Sequence, residues 1–142
     1  MREKIKEIKG KLSEMEIREL RIVLDELLRA SKAGAIIVVE GASDRRSLRD
    51  LGVEGEIVLA SIQPDVELVD SLANSLENLK TAEVIILSDW DVEGRKIERR
   101  LGRLFKSRGI SVNTEYRRRI FKIVGKDVRS VENLSRYLES VL

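Results

Sequence analysis

Three short runs of branched apolar residues frame this chain: Ala35-Ile36-Ile37-Val38-Val39, Glu56 to Ala60 (EIVLA) and Val84 to Leu87 (VIIL). Each is too short for a helix and has the near-continuous apolar character of a strand buried on both faces of a parallel sheet. The segments between them switch to helical spacing. A helix is expected from about Ser43 to Leu51, closed by Gly52. Pro64-Asp65 opens another, with Val66, Leu68, Val69, Leu72, Leu76 and Leu79 on its apolar face, since proline suits a first helical turn. A third runs from about Glu93 to Lys106 with Ile97, Leu101, Leu104 and Phe105 inward. Strands alternating with helices imply right-handed βαβ units and an α/β fold, a mainly parallel sheet with helices on both faces.

The flanks extend this frame. Ser13 and Glu16 have the spacing of a capping box, and Ile17, Leu20, Val23, Leu24, Leu27 and Leu28 then recur at helical spacing up to Gly34. An earlier turn or two holding Ile5, Ile8 and Leu12 is expected to end or bend near Gly10. Residues 1–34 thus form an N-terminal helical extension that packs on the chain's own sheet or makes a dimer seam. Residues 35–142 form the α/β domain, with further strands expected around Ile110 to Thr114 and Arg119 to Val124 and a last helix over Val131 to Val141. At 142 residues the whole is one compact domain.

Composition narrows the chemistry by what it lacks. There is no cysteine and no histidine, which excludes disulfides, thiolate nucleophiles, sulfur-ligated zinc and Ser-His-Asp catalysis. Carboxylates, Lys, Arg, hydroxyls or a bound ion remain, and a hard cation such as Mg²⁺ or Mn²⁺ suits that inventory. No apolar run reaches the roughly 18 residues of a membrane span, and MREKIKEIKGK has no signal-peptide core, so a cytoplasmic location without membrane contact is expected. Abundant Lys, Glu, Arg and Ile beside a lone glutamine, Gln63, point toward a thermophile. The net charge of +2 conceals a division: residues 1–94 carry −7, residues 95–129 carry +10. A basic segment following a carboxylate-rich one fits a protein that handles a polyanion, although charge-rich surfaces also arise from solvation alone.

The carboxylates are placed where an α/β sheet carries its chemistry, beyond the carboxyl ends of strands. Glu40 closes the first apolar run; Asp89 and Asp91 close the third. A carboxylate at the tip of a buried strand calls for a cation, an arginine or water, because leaving it dry and unpaired is costly. Taken singly, Glu-Gly after a strand and Asp-x-Asp in a turn are weak signals, since Asp and Gly serve turns and caps. Gly94 lets the turn bring its backbone close to a ligand, and the helix starting there offers free amides to phosphate.

Together the two motifs resemble a known family. Residues 36–53, IIVVEGASDRRSLRDLGV, are similar to the first Toprim motif, with Glu40-Gly41 after the strand and Asp44 and Leu48 at primase-like spacing. Residues 84–96, VIILSDWDVEGRK, are similar to the second, Asp-x-Asp-x-x-Gly followed by Arg95. The resemblance covers roughly residues 35 to 125 and implies the Rossmann-like Toprim fold of primases, topoisomerases, ribonuclease M5 and overcoming-lysogenization-type nucleases. It also implies roles: Glu40 as general acid/base, and Asp89 and Asp91 as ligands of Mg²⁺ (or Mn²⁺), with Glu40 near the ion. Glu93 falls where type IA topoisomerases carry a third acid, but it serves equally as a first-turn residue favoured by the helix dipole. Asp44 is open between a site role and a helix cap, and Trp90 between stacking on a base and packing.

The basic residues after the acids supply the expected grip on nucleic acid. Arg95, Lys96, Arg99, Arg100 and Arg103 line the helix leaving the site, and Arg117-Arg118-Arg119 follow. Arg95, Arg99, Arg117, Arg118 and Arg119 are the expected contacts, with Arg95 nearest the acids. The larger relatives' further parts are missing: no gate domain to carry a topoisomerase tyrosine, no zinc-binding region of a primase, no Walker A loop. The resemblance is therefore to a stand-alone small Toprim protein, nearest ribonuclease M5 in scale. Two functions stay open: Mg²⁺-dependent phosphodiester chemistry, nuclease before nucleotidyl transfer, or a metal-binding DNA- or RNA-binding module, a homodimer or subunit of a larger complex.

Overall fold

A computed structural model describes residues 12–78 and 83–142; the expected turns holding Ile5 and Ile8, and Leu79, lie outside them. Among the described residues four parallel strands make the sheet: β1 (Ile36–Val39), β2 (Ile57–Leu59), β3 (Val84–Ile86) and β4 (Val112–Asn113), in the order β2-β1-β3-β4. Register is set by Ile37 opposite Ile57, Ile37 opposite Ile85, and Val84 opposite Val112. The helices are α1 (Glu14–Lys32), α2 (Ala42–Asp50), α3 (Asp65–Asn78), α4 (Val92–Ser107), α5 (Glu115–Val124) and α6 (Leu134–Val141), with a 3₁₀ turn at Val131–Asn133 before α6.

Strand periodicity divides the interior into two cores. Ile37, Val39, Ile57, Leu59, Ile85 and Leu87 face one side, where they meet Leu20, Val23 and Leu27 of α1, Leu48 of α2, Ile120 and Val124 of α5, and Leu134 and Leu138 of α6. Ile36, Val38, Val84 and Ile86 face the other, against Leu68, Val69 and Leu72 of α3 and Leu101 and Phe105 of α4. Successive strand residues point to opposite faces, so a strand apolar at every position feeds both layers. The capping box of α1 is present: the Glu16 amide donates to Ser13 Oγ at 3.1 Å and the Ser13 amide to Glu16 Oε1 at 3.0 Å. Helix α1 packs along α5 on the chain's own sheet layer.

One expected strand is corrected. Residues 119–124 are the second half of helix α5, and the edge strand before it shrinks to Val112–Asn113. Tyr116, Ile120, Ile123 and Val124 recur at intervals of four, three and one, so a helix puts all four toward the first core, with Ile120 and Val124 fully buried. That gain in burial outweighs the β-branched composition of the segment, since β propensity is mostly a matter of context.

The strand order also fixes the site. From β1 the chain steps to β2 on one side and then crosses over to β3 on the other. The reversal leaves a crevice at the carboxyl ends of β1 and β3, the position where open α/β sheets bind ligands. Glu40 and Asp89 emerge there.

Candidate metal centre

Glu40 follows the last residue of β1, and its partner is the backbone of the neighbouring strand end. The Asp89 amide donates to Glu40 Oε2 at 2.7 Å across a separation of 49 residues. The Asp89 carboxylate is held in turn by the Val131 amide, which donates to Oδ1 at 2.8 Å. Asp91 is the exposed N-cap of α4, its Oδ1 accepting from the Gly94 amide at 2.7 Å. One oxygen of each acid is thus tied to backbone, and the other lies outside those bonds.

Glu40 and Asp91 both act on Asp89. Burial raises the Asp89 carboxyl first, the Val131 amide opposes it, and the hydrogen bond and charge of Glu40 and the charge of Asp91 push it further, to about 7. Without a cation, neighbouring carboxylates keep a proton, and a bound divalent ion releases it. Among the described residues no three acids form a ready-made cage. The donor set is all oxygen, because the chain has neither histidine nor cysteine. Two carboxylates beside retained waters is how Mg²⁺ is ordinarily bound, and Asp89 and Asp91 fit that description.

The remaining expected residues divide. Asp44 is buried and reaches back to the Gly41 amide at 2.9 Å, capping α2; burial raises its carboxyl above the ordinary range. Its alternative resolves to a cap. Trp90 resolves to packing: it is 7% exposed, its Nε1–H donates to the Val128 carbonyl, and its ring lies 6.1 Å from that of Phe121. Glu93 is exposed and paired with Lys96 at 3.4 Å. Gly94 serves a close approach within the chain itself, since a Cβ there would lie 1.7 Å from the Asp89 carbonyl oxygen; Ser88 Oγ donates to the Gly94 carbonyl at 2.6 Å.

The arginines part in the same way. Arg95, Arg99 and Arg103 are exposed, four residues apart on one ridge of α4 that starts beside Asp91, and make no ion pair among the described residues. Arg100 pairs with Asp65 at 2.9 Å. Arg118 is exposed and pairs with Glu115, while Arg119 reaches Glu26 of α1. Arg117, expected as a nucleic-acid contact, turns away from the surface. It is 8% exposed and its guanidinium faces inward. Helical geometry explains the scatter, because consecutive residues of α5 point about 100° apart.

Sequence reasoning missed the C-terminal contribution. Val128 receives Trp90, Val131 holds Asp89, and the Glu132 amide lies against Asp44. These are backbone groups, and no residue type announces them. Arg117 did leave a signal: read as a helix, it shares one face with Ile120 and Val124.

Comparison with known proteins agrees with this geometry. The family model of the Toprim domain matches residues 35–123. The chain belongs to the Toprim-domain family. It is 38% identical to a UPF0292 protein of Archaeoglobus fulgidus over 83% of this chain and 88% of that one. A UPF0292 protein of Methanocaldococcus jannaschii is 36% identical over 75% and 80%. The solved structure of a putative protein from Aquifex aeolicus superposes with a TM-score of 0.65, at 26% identity, over 80% of this chain and 95% of that one. Family membership ties the chain to metal-dependent, nucleic-acid-related function, and Toprim domains generally bind divalent metals such as Mg²⁺. Among the described residues no helix is long and apolar enough to cross a membrane.

Proposed function

We propose that this Toprim domain carries out Mg²⁺-dependent cleavage of nucleic-acid phosphodiesters, with Asp89 and Asp91 holding the ion, Glu40 moving the proton and the α4 ridge holding the polymer. The observation that carries this reading is the coupling of Glu40 to Asp89 at the β1/β3 crevice, with an exposed arginine ridge that makes no ion pair among the described residues leading away from it. A bound divalent ion supplies charge neutralisation on the phosphate oxygens and eases ionisation of water.

The chain's own residues do the rest. Glu40 is fixed through Oε2 to the Asp89 amide, which leaves Oε1 for proton transfer at a defined position. With no histidine or cysteine in the chain, a carboxylate is the acid/base that the site itself offers. Arg95 stands one turn from Asp91, and Arg99 and Arg103 continue the line, so a phosphate backbone lying on α4 meets positive charge at each turn. The exposure of Asp91 and of this ridge suits a long polymer better than an enclosed small molecule.

The test is a cleavage panel of structured RNAs and DNAs with Mg²⁺ or Mn²⁺. Glu40→Gln keeps shape but cannot accept the proton, and its rate is expected to fall on the order of a hundredfold or more with binding retained. Arg95→Ala/Arg99→Ala is expected to weaken binding and reduce the log-log salt slope by about 1.4 to 1.8, the loss of two phosphate contacts on single or double strands. Tight, salt-sensitive binding with no turnover on any substrate would replace this reading by that of a non-catalytic binding module.

A further inference from the structure

Arg117 makes two directed hydrogen bonds and one ion pair. Its Nε–H donates to the Ser88 carbonyl at 2.9 Å and its Nη2 to the Asp89 carbonyl at 2.6 Å. Its Nη1 lies 2.6 Å from Glu98 Oε2, a close ion pair off the hydrogen-bond line, with the Arg117 side chain 10% exposed. Glu98 belongs to α4, so one guanidinium from α5 ties the loop after β3 to the helix that carries the basic ridge.

The peptide unit between Ser88 and Asp89 is gripped at both ends. Its carbonyl accepts from Arg117, and its N–H donates to Glu40 Oε2. The next carbonyl, that of Asp89, accepts from Arg117 as well. Rotation of this peptide would break the Arg117 bond and the Glu40 bond together. A planar fork with donors in fixed directions can hold two successive carbonyls and a carboxylate; an ammonium at the same depth is a single point.

We infer that Arg117 is the positioning residue of the centre, holding Glu40 and Asp89 in register through the Ser88–Asp89 peptide rather than touching nucleic acid. The inference rests on the metal-site reading above and deepens it. Outer partners that orient metal-binding groups typically contribute ten- to a hundredfold in affinity. Arg117 does so through the backbone.

The experiment compares wild type with Arg117→Lys, which keeps the charge and loses the fork. Mn²⁺ titration calorimetry is run well below the melting temperature of each protein, with nucleic-acid affinity measured separately in chelator. Mn²⁺ affinity is expected to fall at least tenfold, and metal-free nucleic-acid affinity to stay within twofold. Equal Mn²⁺ affinity in the folded variant overturns the inference, and so does a large loss of metal-free binding, which would make Arg117 a direct contact. Should the variant fail to fold, wild-type NMR decides: the Arg117 Nε–H and the Asp89 amide are expected to exchange far more slowly than the Nε–H groups of exposed Arg95 and Arg99. Equal exchange overturns the clamp. A wild type that binds no Mn²⁺ but shows this protection refutes the metal site and leaves the clamp standing.

Discussion

The two strand ends that make the centre are built in opposite ways. After β1, Glu40-Gly41 passes into a helix whose cap is local, Asp44 reaching back three residues to the Gly41 amide. Gly41 itself has open space around it. After β3, the loop from Ser88 to Gly94 has local closures of its own, but it is also held from afar by Glu40, Arg117, Val128 and Val131. A locally closed turn carries its own instructions in four residues, whereas a loop closed by distant partners takes its geometry only when the rest of the fold is in place.

That contrast is easiest to break with the glycines. Gly94→Ala puts a Cβ 1.7 Å from the Asp89 carbonyl oxygen, and backbone cannot yield as a flexible side chain can. A loss of about 3 kcal/mol or more is expected, at the upper end of overpacking costs, read as a fall in denaturation midpoint together with loss of Mn²⁺ binding. Gly41→Ala meets nothing within 4 Å and sits in extended backbone at φ −149°. It is expected to stay within about 0.5 kcal/mol of wild type, as surface substitutions do. Similar losses from both would erase the distinction between the two turns.

Charge sharpens it further. Asp89 titrates at about 7 in the fold against an ordinary 3.8, so between roughly pH 4 and 7 the native state holds a proton that the unfolded chain has released. Stability of the metal-free protein from this group is fully present below about pH 4 and declines as the pH rises through 7. Urea midpoints in chelator are expected to fall over that range, and Asp89→Asn, which cannot ionise, to flatten the fall. Adding Mg²⁺ at pH 8 should restore stability to wild type and not to the variant. A flat wild-type profile would mean that neither burial nor the neighbouring charges of Glu40 and Asp91 raise Asp89.

The cap of the local turn is expected to matter modestly. Asp44→Ala removes the reach to the Gly41 amide and is expected to cost about 1 kcal/mol, the usual scale of a lost cap. Because Asp44 also lies near Asp89 and Glu132, Asp44→Asn is expected to cost less, since it relieves like charge while keeping an acceptor. Thermal melts of the two variants check the order; Asn costing more than Ala would show that the carboxylate charge itself matters there.

Local pattern alone determined much of this protein. Short branched runs ending on Glu40 and Asp89, helical spacing between them and the Ser13–Glu16 cap follow from side-chain periodicity and steric preference within a few residues. The parallel sheet and the Toprim family follow from their order. What the tertiary structure decided are matters of direction and distance. Residues 119–124 are helix because that places Ile120 and Val124 in a core assembled by α1, α2 and β1. Arg117 turns inward because the carbonyls of Ser88 and Asp89 are within its reach, and Trp90 packs because the Val128 carbonyl meets its indole. Asp89 is held by an amide 42 residues away. Every peptide unit carries that same donor, so residue identity is silent about which one will arrive, and only the closed fold selects it.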